Sequence, residues 1–188
     1  MEFSFSKHIN EIKLLIVKPA EFWEEQKETE NSDKLWLSYL LPIVLAVALS
    51  VFIGEFFRRT DFFIQYPLVK AFGKVVLFVL QYFVSVFFTT ALMKTFGAEK
   101  KIDVARKLVV YSMTPMLLVA LVTNLFQFLY ILDILGMYSF YLFWVGAKKL
   151  LTFPNNKEQS YILITIVVNF FVFSFLNVFL SELLKAFY

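Results

Sequence analysis

Five long apolar stretches, separated by short polar loops, set the pattern of this chain. They run from Trp36 to Phe57, from Phe72 to Phe96, from Leu108 to Val122, from Phe128 to Ala147 and from Tyr161 to Leu184. A helix crosses the bilayer core with about 20 apolar residues. Four stretches reach or approach that length. The third does so when Arg106 and Lys107, in its charged entry Val104 to Lys107, snorkel at its end. The pattern predicts an all-α, polytopic integral membrane protein: a five-helix transmembrane bundle with an N-terminal amphipathic interfacial helix. Residues 1–34 form a cytoplasmic amphipathic and interfacial segment, and residues 35–188 form the five-span domain.

Ahead of the first span, Phe5, Ile9, Ile12 and Ile16 recur at spacings of four, three and four, which is one face of a helix. Lys7, Glu11, Lys13 and Lys18 mostly point elsewhere, as in a helix lying on a leaflet. Pro19 breaks this helix and suits the first position of a second one. The second piece carries Phe22, Trp23 and an acidic run (Glu24, Glu25, Glu28, Glu30) interrupted by Lys27. Trp23 is expected as an interfacial anchor. The segment reads first as a collar sealing the bundle at the membrane surface, and second as an arm for docking a basic partner.

Composition sharpens the class. The chain is 60% hydrophobic, with a mean hydropathy of +0.71, against about 45–50% apolar for a soluble domain. Its 25 Phe residues suit lipid-facing surfaces. The absence of cysteine excludes disulfides, thiolate zinc sites and iron–sulfur clusters, and a lone His8 builds no histidine metal site. No cofactor is expected. The net charge of +3 is spread over loops and does not suggest nucleic-acid binding. Lys7, Glu11 and Lys13 interrupt the apolar core a signal peptide would need, so the first span is expected to serve as the insertion signal.

Lys and Arg sort by loop. Of the 18, thirteen lie in the N-terminal segment and in the loops after spans two and four. The other five lie after span one (Arg58, Arg59, Lys70, Lys74) and in the tail (Lys185). The positive-inside rule therefore places the N-terminus in the cytoplasm and the C-terminus outside.

Within the spans, Ala46, Ser50 and Gly54 form a small-residue stripe that favours close packing inside the bundle over dimerisation. Pro42 and Pro115 are expected to kink their helices. Pro115 frees the carbonyl of Tyr111, with Ser112 or Thr114 placed to satisfy it. Spans three and four form a tight hairpin turning near Thr123 to Gln127. On a helical wheel Tyr130, Asp133, Met137, Tyr141 and Trp144 share a face of span four. A carboxylate at the bilayer centre costs roughly 2.5–3.5 kcal/mol. Asp133 is thus expected near the outer interface, with Arg58 and Arg59 as its natural partners and a structural pair ahead of an ion site. Ser174, Asn177 and Ser181 read as inter-helix glue on span five, with Asn169 a separate polar point.

No nucleophile–base constellation and no phosphate loop is visible. Glu24 and Glu25 are a glutamate pair, yet they precede the first span and no membrane histidine accompanies them. A non-enzymatic protein is expected.

The stretch from Gly97 through Tyr111 to Pro115 and Met116 resembles the central segment of the Yip (Ypt/Rab-interacting) family of five-span membrane proteins. In that family a glycine-containing loop after span two leads into a helix with a Tyr-x-x-x-Pro core, here Tyr111 and Pro115. Lys18 to Trp23 resembles the Pro-then-Trp segment of bacterial members. The resemblance implies a helical membrane protein, and in a bacterial-type member residence in the cell inner membrane. Eukaryotic members bind prenylated Rab GTPases. The Asp-Leu-Tyr-Gly-Pro-like segment they carry before span one is lacking here, which argues against a Rab-type partner. The leading reading is a membrane-organising scaffold in contact with the lipid bilayer, with other membrane proteins or anionic lipids as candidate partners. Lys100, Lys101, Arg106 and Lys107 are the candidate contacts for anionic headgroups. The candidate functional positions are Tyr111, Pro115, Asp133 and Asn177. The alternative is a transporter or channel component using Asp133, the Pro115 helix and the polar stripe of span five.

Overall fold

The computed structural model describes residues 5–28, 32–58, 64–154 and 157–185. Arg59, Asp61 and Glu30 lie outside these residues, as do the side chains of Phe5 and Lys7. Among the described residues seven α-helices carry the fold: α1 (Phe5–Val17), α2 (Pro19–Glu25), α3 (Leu41–Arg58), α4 (Gln65–Thr95), α5 (Ile102–Leu125), α6 (Tyr138–Leu150) and α7 (Glu158–Lys185). Among the described residues there is no strand, and five helical segments are long and apolar enough to cross a membrane. The chain is a multi-pass membrane protein with an all-helical bundle.

α5 is the hub. Half of its most apolar window is buried inside the protein, against 11% for the windows of the fourth and fifth spans. A helix apolar all round is a core helix, and α5 packs against α3, α4 and α6 at once. α7 lies along α4 and turns most of its surface, including Phe171, Phe175 and Phe179, to lipid. The α4–α5 connection is closed by a Schellman turn. Gly97 takes φ +82°, its amide donates to Lys94 O at 3.1 Å, and Ala98 donates to Met93 O at 2.9 Å. Only glycine adopts that conformation without strain.

The two prolines within the spans named above behave differently. Pro42 has no amide to give the carbonyl of Ser38, and the chain responds with a π-helical turn over Trp36–Leu40 just before α3. The Ser38 carbonyl is met instead by His8 Nε2 at 2.9 Å, and the His8 ring stacks on Tyr39 at 5.9 Å. The lone histidine thus ties α1 to the proline-made gap in the first span. His8→Ala is expected to lower stability by about 1 kcal/mol, with His8→Gln recovering part of the loss; unfolding in a fixed detergent measures it. At Pro115 the helix stays α-helical, and the adjoining Met116 amide donates to Ser139 Oγ at 3.3 Å. Thr114 Oγ1 reaches the Val110 carbonyl at 3.4 Å and bonds Tyr39 Oη at 3.1 Å.

Two expectations are corrected. The first half of the fourth span, Gln127–Met137, is a 3₁₀-helix rather than an α-helix, with a non-helical Leu129. Its side chains therefore repeat nearer every three residues than every 3.6, and the α-helical wheel joining Tyr130, Asp133 and Met137 does not apply. Trp23 is 0% exposed and is no interfacial anchor. It lies edge-on to Phe22 and Tyr111, at ring separations of 5.6 and 5.8 Å. Ile9 and Ile16 of α1 stay exposed while Ile12 and Leu15 pack inward, as in a helix resting on a membrane surface.

Candidate functional site

The sequence-predicted positions fall into two places. Tyr111 and Pro115 lie in the buried core around α5. Tyr111 is the centre of an aromatic cluster, with Phe22 at 4.7 Å, Tyr39 at 5.0 Å and Trp23 at 5.8 Å, all near perpendicular. Such edge-to-face pairs each add about 0.5–1.5 kcal/mol beyond area burial. The cluster joins α2, the first span and α5, so Tyr111 sits where the N-terminal segment docks.

The docked segment is tied by charge as well. Lys107 is 5% exposed and donates to the Gln26 carbonyl at 2.8 Å, capping the C-terminal end of α2. Ser32 Oγ donates to Asp103 at 2.6 Å, and Arg106 bridges Asp103 and Asp33. Lys149 meets Glu24 at 2.9 Å. Hydrogen bonds from Lys27 and then from Lys149 hold the Glu24 carboxyl down at about 2. Of the four cations expected to face lipid headgroups, Arg106 and Lys107 are thus engaged by the protein itself. Lys100 and Lys101 are exposed, Lys101 beside Glu99 at 2.9 Å.

Asp133 and Asn177 line a second place, a cleft of about 400 Å³ between α4, α5, α7 and the 3₁₀–α6 segment. It lies at the end of the bundle away from the docked collar. The expected Asp133–Arg58 pair is not formed. Arg58 bonds Glu55 at 3.0 Å, three residues back on its own helix, and the Asn124 carbonyl at 2.6 Å. Lys74, which the sequence pattern assigns to the charges after span one, faces the cleft with Asp133 and lies within its electrostatic reach, and no ion pair between the two is formed among the described residues.

Further in, the cleft is lined by Gln81 and Ser85 of α4, Ser112 of α5 and Asn169 of α7. Gln81 Nε2 donates to Ser85 Oγ at 2.9 Å and to the Asn169 carbonyl at 3.4 Å, and Asn169 Nδ2 donates to Thr89 Oγ1 at 3.3 Å. Gln81 Oε1, Asn169 Oδ1 and Ser112 Oγ have no hydrogen-bond partner among the described residues. Buried polar atoms are ordinarily satisfied, so three orphans along one cleft set it apart from the packed core. Ser174, Asn177 and Ser181 make no inter-helix bond among the described residues; Asn169 and Tyr161, whose hydroxyl donates to Thr89 O at 3.2 Å, join α7 to α4 instead. The lining reaches as far as Ser85, Val109, Phe143 and Ile166. A pathway across the membrane finds no support in it.

A family model, the Yip1 domain, matches residues 13–176. The chain belongs to this family. The Yip1 match opens inside α1 and takes in all of α2, so the docked collar with Phe22 and Trp23 is part of the family domain. Tyr111 and Pro115 fall inside the match, and Asn177 lies just beyond it. No curated protein and no solved structure matches this Yip1 chain significantly.

Proposed function

We propose that this Yip1-domain protein is a non-enzymatic scaffold that organises its membrane and the proteins beside it. The observation that carries the reading is the built-in collar. α2 is clamped to α5 and α6 by Tyr111, Trp23, Lys107 and the Glu24–Lys149 pair, giving one end of the bundle a fixed surface. Glu21, Glu25, Glu28, Glu99, Lys100, Lys101 and Lys148 are exposed in the collar and the loops beside it. A fixed surface of mixed charge selects a protein or headgroup partner by complementary charge. We place this face in the cytoplasm of an inner-membrane protein, on the positive-inside count.

The chain contains no cysteine, so single cysteines report without background. Lys100→Cys is expected to be shielded from an impermeant thiol reagent in intact cells and Asp61→Cys to be labelled; the reverse overturns the orientation. Pull-down of the full chain in mild detergent is expected to recover a reproducible partner or lipid set that the Lys100→Glu, Lys101→Glu double variant loses. Recovery of nothing reproducible from the folded protein sinks the scaffold reading.

A further inference from the structure

Depth in the membrane fixes what the cleft meets. α4 has 31 residues, about 46 Å at 1.5 Å per residue, well beyond a hydrocarbon core of about 30 Å. Lys74 and Lys94 lie twenty residues apart on it, about 30 Å, so they bracket the core. Lys74 therefore sits at the headgroup level on the side away from the collar. The register of α7 against α4 carries that level across: Gly73 faces Leu184, Phe78 stacks on Phe173 at 6.4 Å, and Gln81 bonds the Asn169 backbone. Gln81, seven residues below Lys74, lies about 10 Å deeper. The cleft thus leads from the headgroup layer into the hydrocarbon region. On its lining, Met137 and Phe170 are also exposed to lipid, so it opens sideways to the bilayer.

The polar chemistry of the lining is lopsided. One ammonium, Lys74, stands at the mouth. A carboxylate, Asp133, stands exposed on the same lining, and further in are the acceptor oxygens of Gln81 and Asn169, without a partner among the described residues, with the Ser112 hydroxyl also on the lining. Such a lining fits a zwitterion whose ammonium points inward to acceptors and whose phosphate rests on the lysine. Phe140 and Phe170, 6.0 Å apart and edge to face, supply apolar surface where chains attached to that head would leave. We propose that this cleft binds the head of an amine-bearing phospholipid, its phosphate on Lys74 and its ammonium among Asp133, Gln81 and Asn169. The assignment rests on the membrane placement of the helices and stands apart from the scaffold reading of the collar.

Native mass spectrometry of the full chain in detergent, with added defined lipids, tests it. Phosphatidylethanolamine is expected to be retained about tenfold better than phosphatidylcholine, which has the same charges but no N–H to donate. Soluble glycerophosphoethanolamine, with the same head and no chains, is expected not to displace it. Asp133→Asn and Gln81→Leu are each expected to cut retention about tenfold. Asp133 is exposed, so Asp133→Asn should keep the parent's unfolding midpoint; Gln81→Leu also gives up the bonds to Ser85 Oγ and the Asn169 carbonyl, so its midpoint is expected to fall somewhat and its retention is read at a temperature where it is folded. Equal retention of the two lipids, full displacement by the soluble head, or retention unchanged in both folded variants overturns the proposal.

Discussion

Trp23→Ala is expected to release the collar and to lower stability by about 3–5 kcal/mol, the range for removing a large buried aromatic side chain. The Trp23 ring is 0% exposed and fills the space between Tyr111, Leu108 and Gly146. Gly146 is the other half of this lock. A Cβ there would stand 2.5 Å from Trp23 Cε2 and 2.8 Å from Leu108 Cδ2. Gly146→Ala in the parent is therefore expected to lose about 1–3 kcal/mol to overpacking. In the Trp23→Ala background it is expected to cost clearly less, because the ring is gone and the space it leaves lets the Leu108 side chain turn away; the coupling is what a double-mutant cycle reads. Trp23→Phe should be the mildest change, since the Trp23 Nε1 donor is buried without a partner among the described residues and deleting it removes a desolvation penalty. Unfolding in a fixed detergent, with protease cutting of residues 1–34 as a second readout, measures all four. Trp23→Ala as stable and as protease-resistant as the parent would mean that α2 does not dock.

Much of this architecture was legible in the apolar pattern, because a bilayer imposes length directly on sequence. All five spans, the helix break at Pro19 and the turn ending α5 near Asn124 stand where the sequence places them. Trp23 was not legible. A tryptophan beside an acidic run follows the general preference for interfaces, and its real site is made by a missing Cβ on α6, more than a hundred residues away. The 3₁₀ segment was equally hidden. Gly136 within it is no sign either, since a Cβ there would meet Met116 Cα at 3.6 Å, an ordinary contact.

The cleft was legible only in part. Asp133, Asn169 and Asn177 stand out as polar positions in apolar runs, and a polar residue at membrane depth marks a site by default. Their convergence with Lys74, Gln81 and Ser112 depends on the register of α4 against α7, which no local pattern encodes. Lys74 belongs with the charges after span one in the sequence pattern because it stands at the very start of the second apolar run, whereas α4 already begins at Gln65. Arg58 was matched to Asp133 by shared membrane side alone. Glu55 lies one helical turn away, and a neighbour three residues back wins over one that must be brought from another helix.

Gly54→Ala is expected to destabilise the bundle by about 3 kcal/mol, the upper part of the overpacking range. A Cβ at Gly54 would stand 2.1 Å from the Asn124 carbonyl oxygen, which is backbone and has no rotamer to move away by. The same oxygen accepts from Arg58 Nη2 at 2.6 Å, and the Asn124 side chain bonds the Ala120 carbonyl at 2.6 Å, so displacing it disturbs the whole end of α5. Gly54 and Ser50 are both buried within the chain, so the small-residue stripe serves the α3–α5 contact. Leu49→Ala, at a position 59% exposed on the lipid side of the same helix, is the control and is expected to change little. The alternative use of such a stripe is a dimer interface. It predicts the opposite signature: loss of a dimer in native mass spectra of Gly54→Ala, with the unfolding midpoint of the monomer unmoved. That result would remove the close approach of α3 to α5 as the reason for glycine at this position.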